Sequence, residues 1–134
     1  MEFLSRRLVM PEDLNHAGSL FGGRVLAWID EEAVIYAICQ LGTNCLVTKH
    51  IGEISFEAPA LTGDVVEFGL ATKAVGRTSI TVTCLVRNTV TKKTICLADD
   101  VVFVRVDPDT RAPVPHGRTM ESLGDNAAQA ESTE

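Results

Sequence analysis

The sequence has no CxxC pair and no Cys/His cluster: Cys39, Cys45, Cys84 and Cys96 are widely and irregularly spaced. That spacing excludes the usual zinc sites and a disulfide framework, and the four read as reduced, mostly packed thiols, with no metal expected. Basic charge is also scarce, 12 Lys and Arg against 18 Asp and Glu for a net charge of −6. General nucleic-acid binding, which needs clustered cations to neutralise phosphates, is therefore not expected. No apolar run of about 20 residues is free of charge, so no membrane span is expected. The N-terminus, MEFLSRRLVM, is too short in its apolar part for a secretory signal and lacks a small-residue cleavage pattern, which makes a cytoplasmic location the expectation.

What is present concentrates between Asn15 and Asp30, in NHAGSLFGGRVLAWID. A polar loop, a Gly pair and an apolar helix carrying an acid follow one another directly. Gly22 and Gly23 let the backbone pass close to another group and leave the first N–H donors of the following helix unpaired. Such donors suit an anion or a polarised carbonyl, and the N–H of Gly23 is the foremost candidate for an oxyanion hole. The helix predicted over Gly22 to Leu41 is apolar on nearly every side, a pattern that calls for burial on most faces. Into it fall Asp30, Glu31 and Glu32, about 100° apart around the axis. A carboxylate pressed against packed structure is either paired or working, since burial alone costs it several kcal/mol. Periodicity does not choose among the three acids. The same residues also fit a tight turn with close packing, followed by a solvated acidic stripe.

At 134 residues the chain is sized for a single domain with a real core. A strand is predicted around Phe3 to Val9, Pro11 opens a loop, and Gly42-Thr43-Asn44 ends the helix. β-branched, alternating stretches then run over Leu46 to Ala58, Val65 to Val75, Arg77 to Val90 and Thr94 to Val106. Ile80, Val82, Cys84 and Val86 fall on one face and Ser79, Thr81, Thr83 and Arg87 largely on the other, the period-2 pattern of a sheet covered on one side. The connections are too short for crossovers, which makes the sheet antiparallel. The fold class is therefore α+β, a five-stranded antiparallel sheet with one long helix on its concave face. Two copies pairing edge strands would cover what one sheet and one helix leave open. The tail over residues 117–134 is polar, and the last 15 or so residues are expected to be disordered from their composition.

With these segments in view, the chain resembles the hotdog-fold acyl-CoA thioesterases, in particular the small bacterial acyl-CoA hydrolases related to the double-hotdog enzymes of animals. The resemblance spans Leu8 to Pro115 and rests on NHAGSLFGGRVLAWID, ISFEAPALTGD at Ile54 to Asp64, GRTSITV at Gly76 to Val82 and VFVRVDPDTRAPVP at Val102 to Pro115, in that order. It implies a hotdog domain over residues 1–116, a homodimer with active sites at its interface, and a trimer of dimers. By matching positions it implies Asp30 as the catalytic acid and Asn15 as its partner amide from the opposite subunit. Thr48 matches a threonine near the family's site, and Gly22, Arg77, Thr78 and Ser79 fall in segments that meet the substrate, the last three along the coenzyme channel. Arg105 and Arg118 are weaker phosphate candidates. Phe21 stands where other hotdog thioesterases carry a His before the Gly pair, so His-assisted polarisation is not expected.

The reaction so implied is hydrolysis of a fatty acyl-CoA to the free acid and coenzyme A, which enters as part of the substrate with no further cofactor. Asp30 would serve as general base on a water or attack the carbonyl itself. Two rivals share the ligand: a hotdog hydratase or dehydratase, which usually needs a His with its acid, and a non-catalytic acyl-CoA sensor, which usually carries a DNA-binding segment. No basic helix-turn-helix candidate precedes Phe3 or follows Pro115.

Overall fold

The structure, a computed structural model, describes residues 1–123. The elements run β1 (Glu2–Leu8), a 3-10 turn (Pro11–Asp13), α1 (Gly22–Leu41), β2 (Leu46–Ile51), β3 (Ile54–Phe56), β4 (Val65–Val75), β5 (Ser79–Asn88) and β6 (Thr94–Arg105). Every strand pairing is antiparallel, in the order β1-β4-β5-β6-β2, with β3 also on β6. The helix packs on β4, β5, β6 and β2. This is the α+β hotdog arrangement.

Strand ends fall within one or two residues of the sequence reading, apart from one strand that divides in two. The predicted strand over Leu46 to Ala58 divides into β2 and β3 at Gly52, whose N–H donates to the Asp100 carbonyl at 2.8 Å, after a register shift between Thr48 and His50. The sheet so gains a sixth, short strand. β5 begins at Ser79 instead of Arg77, because Gly76 N–H donates to the Ser79 carbonyl at 2.9 Å and closes a tight turn.

Alternation in β5 holds as read, with Ile80, Val82, Cys84 and Val86 fully buried toward the helix. β4 departs from one-sided coverage: Val66, Glu67, Phe68, Gly69 and Leu70 are all buried. The helix buries Val25, Trp28, Ile29, Glu32, Ala33, Ala37 and Leu41, the i, i+3, i+4 face that one sheet can cover. An outward stripe of Arg24, Ala27, Glu31, Ile35 and Cys39 stays exposed in the single chain, so burial on most faces is not reached within one copy. Gly42, at φ +71°, closes the helix in the left-handed region and donates its N–H to the Ile38 carbonyl at 2.8 Å.

After β6 the chain doubles back through a Val106 to Pro113 bridge. Residues 120–123 begin a helical turn, and Leu123 is 2% exposed within the core. The expectation of disorder in the last 15 or so residues falls mostly on residues 124–134, outside the described residues. Among the described residues no helix is long and apolar enough to cross a membrane.

Candidate active site

The three successive acids separate cleanly. Glu32 is the buried one, and it is paired: Ser5 Oγ donates to it at 2.6 Å and Arg7 Nη2 at 2.8 Å. Arg7 in turn lies 5.3 Å from the Trp28 ring centroid and 5.8 Å from that of Phe68. Burial pulls the Arg7 pKa down, but bonds to Glu32 and Glu31 outweigh it and hold the guanidinium above its ordinary value. Glu31 is exposed. Asp30 lies between these extremes, half-buried on the margin of the packed face in line with Gly22, Leu26, Val34 and Ile38. Its Oδ1 accepts the Thr48 hydroxyl at 2.8 Å, joining the helix to edge strand β2. Thr48 is thereby fixed on the acid itself.

Asn15 sits in a tight loop that Gly18, at φ +82°, allows to turn. Its Oδ1 accepts the backbone N–H of Ala17 at 2.9 Å and of Ser19 at 3.1 Å, and this network orients the amide. The acceptor side of Asn15 is thus committed to the loop. Its NH2 group remains as a donor, and Asn15 is part of the lining of a cleft of about 380 Å³ with Ser19, Leu20, Gly22, Phe56, Glu57, Ala58 and Pro59.

The Gly pair forms the first turn of α1, with Phe21 at the N-cap making no side-chain cap bond. Arg24 N–H and Val25 N–H both donate to the Phe21 carbonyl, at 3.0 and 3.1 Å. Among the described residues the N–H groups of Gly22 and Gly23 have no such acceptor. Both glycines lie within the helix and neither has positive φ, so neither makes a left-handed turn. Close approach does apply: a Cβ on Gly22 would stand 3.5 Å from the Phe56 ring, and one on Gly23 only 2.8 Å from that of Phe21.

Within one chain, then, the predicted residues form two half-sites and a turn. Asp30 and Thr48 meet directly, while Asn15 and Gly22 share the cleft about 12 Å away along the helix. No hydrogen bond joins Asn15 to Asp30 among the described residues. Ile80, Phe103 and Thr48 are paired across β5, β6 and β2, which puts the Arg77-Thr78-Ser79 turn near the level of Thr48 and about two strand spacings, roughly 10 Å, to its side. Arg77 is exposed there, and Thr78 and Ser79 are half-buried.

Sequence reasoning did not single out Phe56 and Glu57, which line the cleft, although both lie inside ISFEAPALTGD. Phe56 is 59% exposed, unusual for a large apolar ring on a strand end, but only the fold sets it beside Gly22. His16 is exposed. Burial pushes the Cys84 thiol up to about 12 and that of Cys96 to about 11, which rules both out as ready nucleophiles. Among the described residues no three His, Cys, Asp or Glu groups gather as a metal site.

Comparison with known proteins agrees with this fold. The sequence pattern of the Thioesterase superfamily matches residues 17–95. An uncharacterised acyl-CoA thioester hydrolase of Haemophilus influenzae is 34% identical over 126 residues, covering 88% of this chain and 80% of that protein. Among solved structures, a hexameric thioesterase from Yersinia pestis superposes with a TM-score of 0.76 at 29% identity, covering 85% of this chain and 93% of the other. An acyl-CoA hydrolase from Staphylococcus aureus, solved with butyryl coenzyme A, coenzyme A and coenzyme A disulfide, gives a TM-score of 0.73 at 26% identity over 96% of this chain and 86% of its own. With its helix, its sheet order and the matched residues all in agreement, the chain belongs to the thioesterase superfamily.

Proposed function

We propose that the protein hydrolyses acyl-CoA thioesters to the free acid and coenzyme A, which arrives as part of the substrate. The observation that carries this reading is the Thr48 to Asp30 hydrogen bond on the margin of a helix whose first N–H donors have no acceptor among the described residues. The thioester carbonyl would lie against the Gly23 N–H, with the positive end of the helix dipole favouring the developing oxyanion. Asp30 takes a proton from water as it adds to that carbonyl, or adds directly to give an anhydride that water then opens. In either route the C–S bond breaks and the thiolate leaves, to be protonated as the thiol.

The roles of the other groups follow from their remaining valences. Thr48, donating to Oδ1, holds the carboxylate in place and leaves its second oxygen for the water or the carbonyl. Asn15 acts through its NH2, as a donor to the thioester or to the attacking water. The Asp30 and Asn15 half-sites are proposed to complete each other across a dimer in which β2 edges pair, with three dimers forming a hexamer. Arg77, Thr78 and Ser79 would meet the coenzyme.

Release of free thiol from a panel of acyl-CoAs tests this directly. Turnover with thiol release is expected, and by the wild type but not by Asp30→Asn. Water addition without thiol release would make the protein a hydratase, and tight binding without turnover would make it a sensor.

A further inference from the structure

Among the buried titratable side chains to which the proposed chemistry gives no part, His116 is the histidine. It lies beyond β6, is 7% exposed and uses both ring nitrogens. The Arg118 backbone N–H points at Nδ1 at 3.0 Å, so Nδ1 is the acceptor and carries no proton. The ring proton is therefore on Nε2, which donates to the Ser79 carbonyl at 2.9 Å. The backbone N–H of His116 donates to the Arg77 carbonyl at 3.3 Å, and the N–H of Arg105 to that of Thr78 at 2.8 Å. Every carbonyl of the Arg77-Thr78-Ser79 turn is thus tied down: that of Arg77 by the His116 backbone, that of Thr78 by the Arg105 backbone, and that of Ser79 by the His116 imidazole together with the Gly76 N–H.

The segment that carries His116 is itself anchored. Arg105 Nη1 donates to the Pro115 carbonyl at 3.0 Å, and Val114 N–H to the Arg105 carbonyl at 2.9 Å. The Arg77 side chain is exposed at the tip of this tied carbonyl frame. A turn ordered before its ligand arrives loses less freedom on binding.

We propose that His116 is a positioning residue for coenzyme binding: its neutral imidazole fixes the backbone of the Arg77 turn so that the guanidinium meets the phosphates of the nucleotide end. This rests on the acyl-CoA reading above. A residue that merely fastens the fold would weaken all substrates alike, whereas a positioning residue weakens only those that carry the phosphates.

The test compares an acyl-CoA with the matching acyl-pantetheine, which lacks the nucleotide and its phosphates. In His116→Asn the amide oxygen takes the place of Nδ1 and keeps the Arg118 bond but falls short of Ser79. In His116→Gln the amide nitrogen reaches Ser79. The expected result for His116→Asn is a KM for acyl-CoA raised about tenfold, the size of one weakened charge-assisted hydrogen bond, with kcat and the acyl-pantetheine KM little changed. His116→Gln should stay within about twofold of wild type, and Arg77→Ala should add little to His116→Asn, as expected for residues acting through one contact. An equal rise on both substrates, or an unchanged KM in His116→Asn, overturns the proposal. If His116→Asn does not fold, His116→Gln decides alone, and a KM rise confined to acyl-CoA with the Ser79 tie retained is the overturning result. Should the wild type release no thiol, the activity falls instead, and the same split is read from the Kd of coenzyme A against that of pantetheine.

Discussion

At the scale of single residues, Asp30 and Glu32 differ by what reaches them. Glu32 receives a guanidinium and a hydroxyl from β1, so its charge is neutralised where it sits. Asp30 receives one hydroxyl and faces no cation among the described residues, which leaves a carboxylate oxygen free to act. Thr48→Val tests this division, because valine keeps the β-branched shape of the strand residue and removes only the donor. Losing a hydrogen bond to a charged group at the reacting carboxylate is expected to lower kcat by about tenfold or more while KM stays within about twofold. Steady-state kinetics on one acyl-CoA are enough, and unchanged turnover would reduce Thr48 to a strand former. Periodicity left the three acids equivalent for a physical reason: Arg7 and Ser5 lie more than twenty residues upstream, and only the pairing of β1 with β4 carries them to Glu32. The resemblance, through NHAGSLFGGRVLAWID, named Asp30 where the local pattern had no means to do so.

At the scale of elements, the helix and most of the strands follow from local pattern, whereas the departures come from long-range bonds. Gly52 is held by Asp100 and splits one predicted strand into two, and no residue within Leu46 to Ala58 announces that partner. Both-sided burial of β4 has a similar origin. Glu67 is paired in register with Arg6 on β1 and Arg87 on β5, a row of charge laid across three strands. Arg87 Nε donates to it at 2.7 Å and Lys92 Nζ at 3.2 Å, with Arg6 Nε at 3.7 Å. The Arg87 guanidinium also stacks 3.6 Å from the Phe3 ring centroid. Burial pushes the Glu67 carboxyl upward, but the bonds from Arg87 and Lys92 outweigh it and hold its pKa below the ordinary 4.5. A depressed folded-state pKa contributes stability that is complete above the unfolded value and is lost as pH falls through the folded one. Glu67→Gln should therefore be less stable than wild type near pH 7, by about 2 kcal/mol given that Arg87 keeps some solvent contact. The gap should narrow as the pH drops below 4.5. Urea midpoints for both proteins across pH 7 to about 3 show whether the curves converge; parallel curves would mean that Glu67 is not the titrating group.

At the scale of the whole molecule, one copy holds both residues proposed for catalysis but does not bring them together. Asn15 opens on a cleft at the start of the helix, and Asp30 stands about 12 Å further along it on the other side of Leu26. The proposed isologous dimer would solve the problem without moving either residue, since a two-fold axis can present Asn15 of one copy to Asp30 of the other. The exposed apolar groups fit such a partner: Phe56 lines the cleft, Phe21 stands exposed at the N-cap of the helix, and Ile35 lies on its uncovered stripe. The arrangement has a consequence that a single-chain site lacks. Asn15→Ala and Asp30→Asn each damage both sites of a homodimer, but a mixed dimer carries both lesions in one site and none in the other. Random co-assembly makes half of the dimers mixed, so co-expressed variants should recover about a quarter of wild-type activity. Co-purification with two different affinity tags removes the assemblies built from one variant alone, and in a hexamer of three randomly drawn dimers recovery should stay near that quarter. Activity no greater than the sum of the two separate variants would show that Asn15 and Asp30 serve the same site from the same chain, and the two-copy site would have to be abandoned.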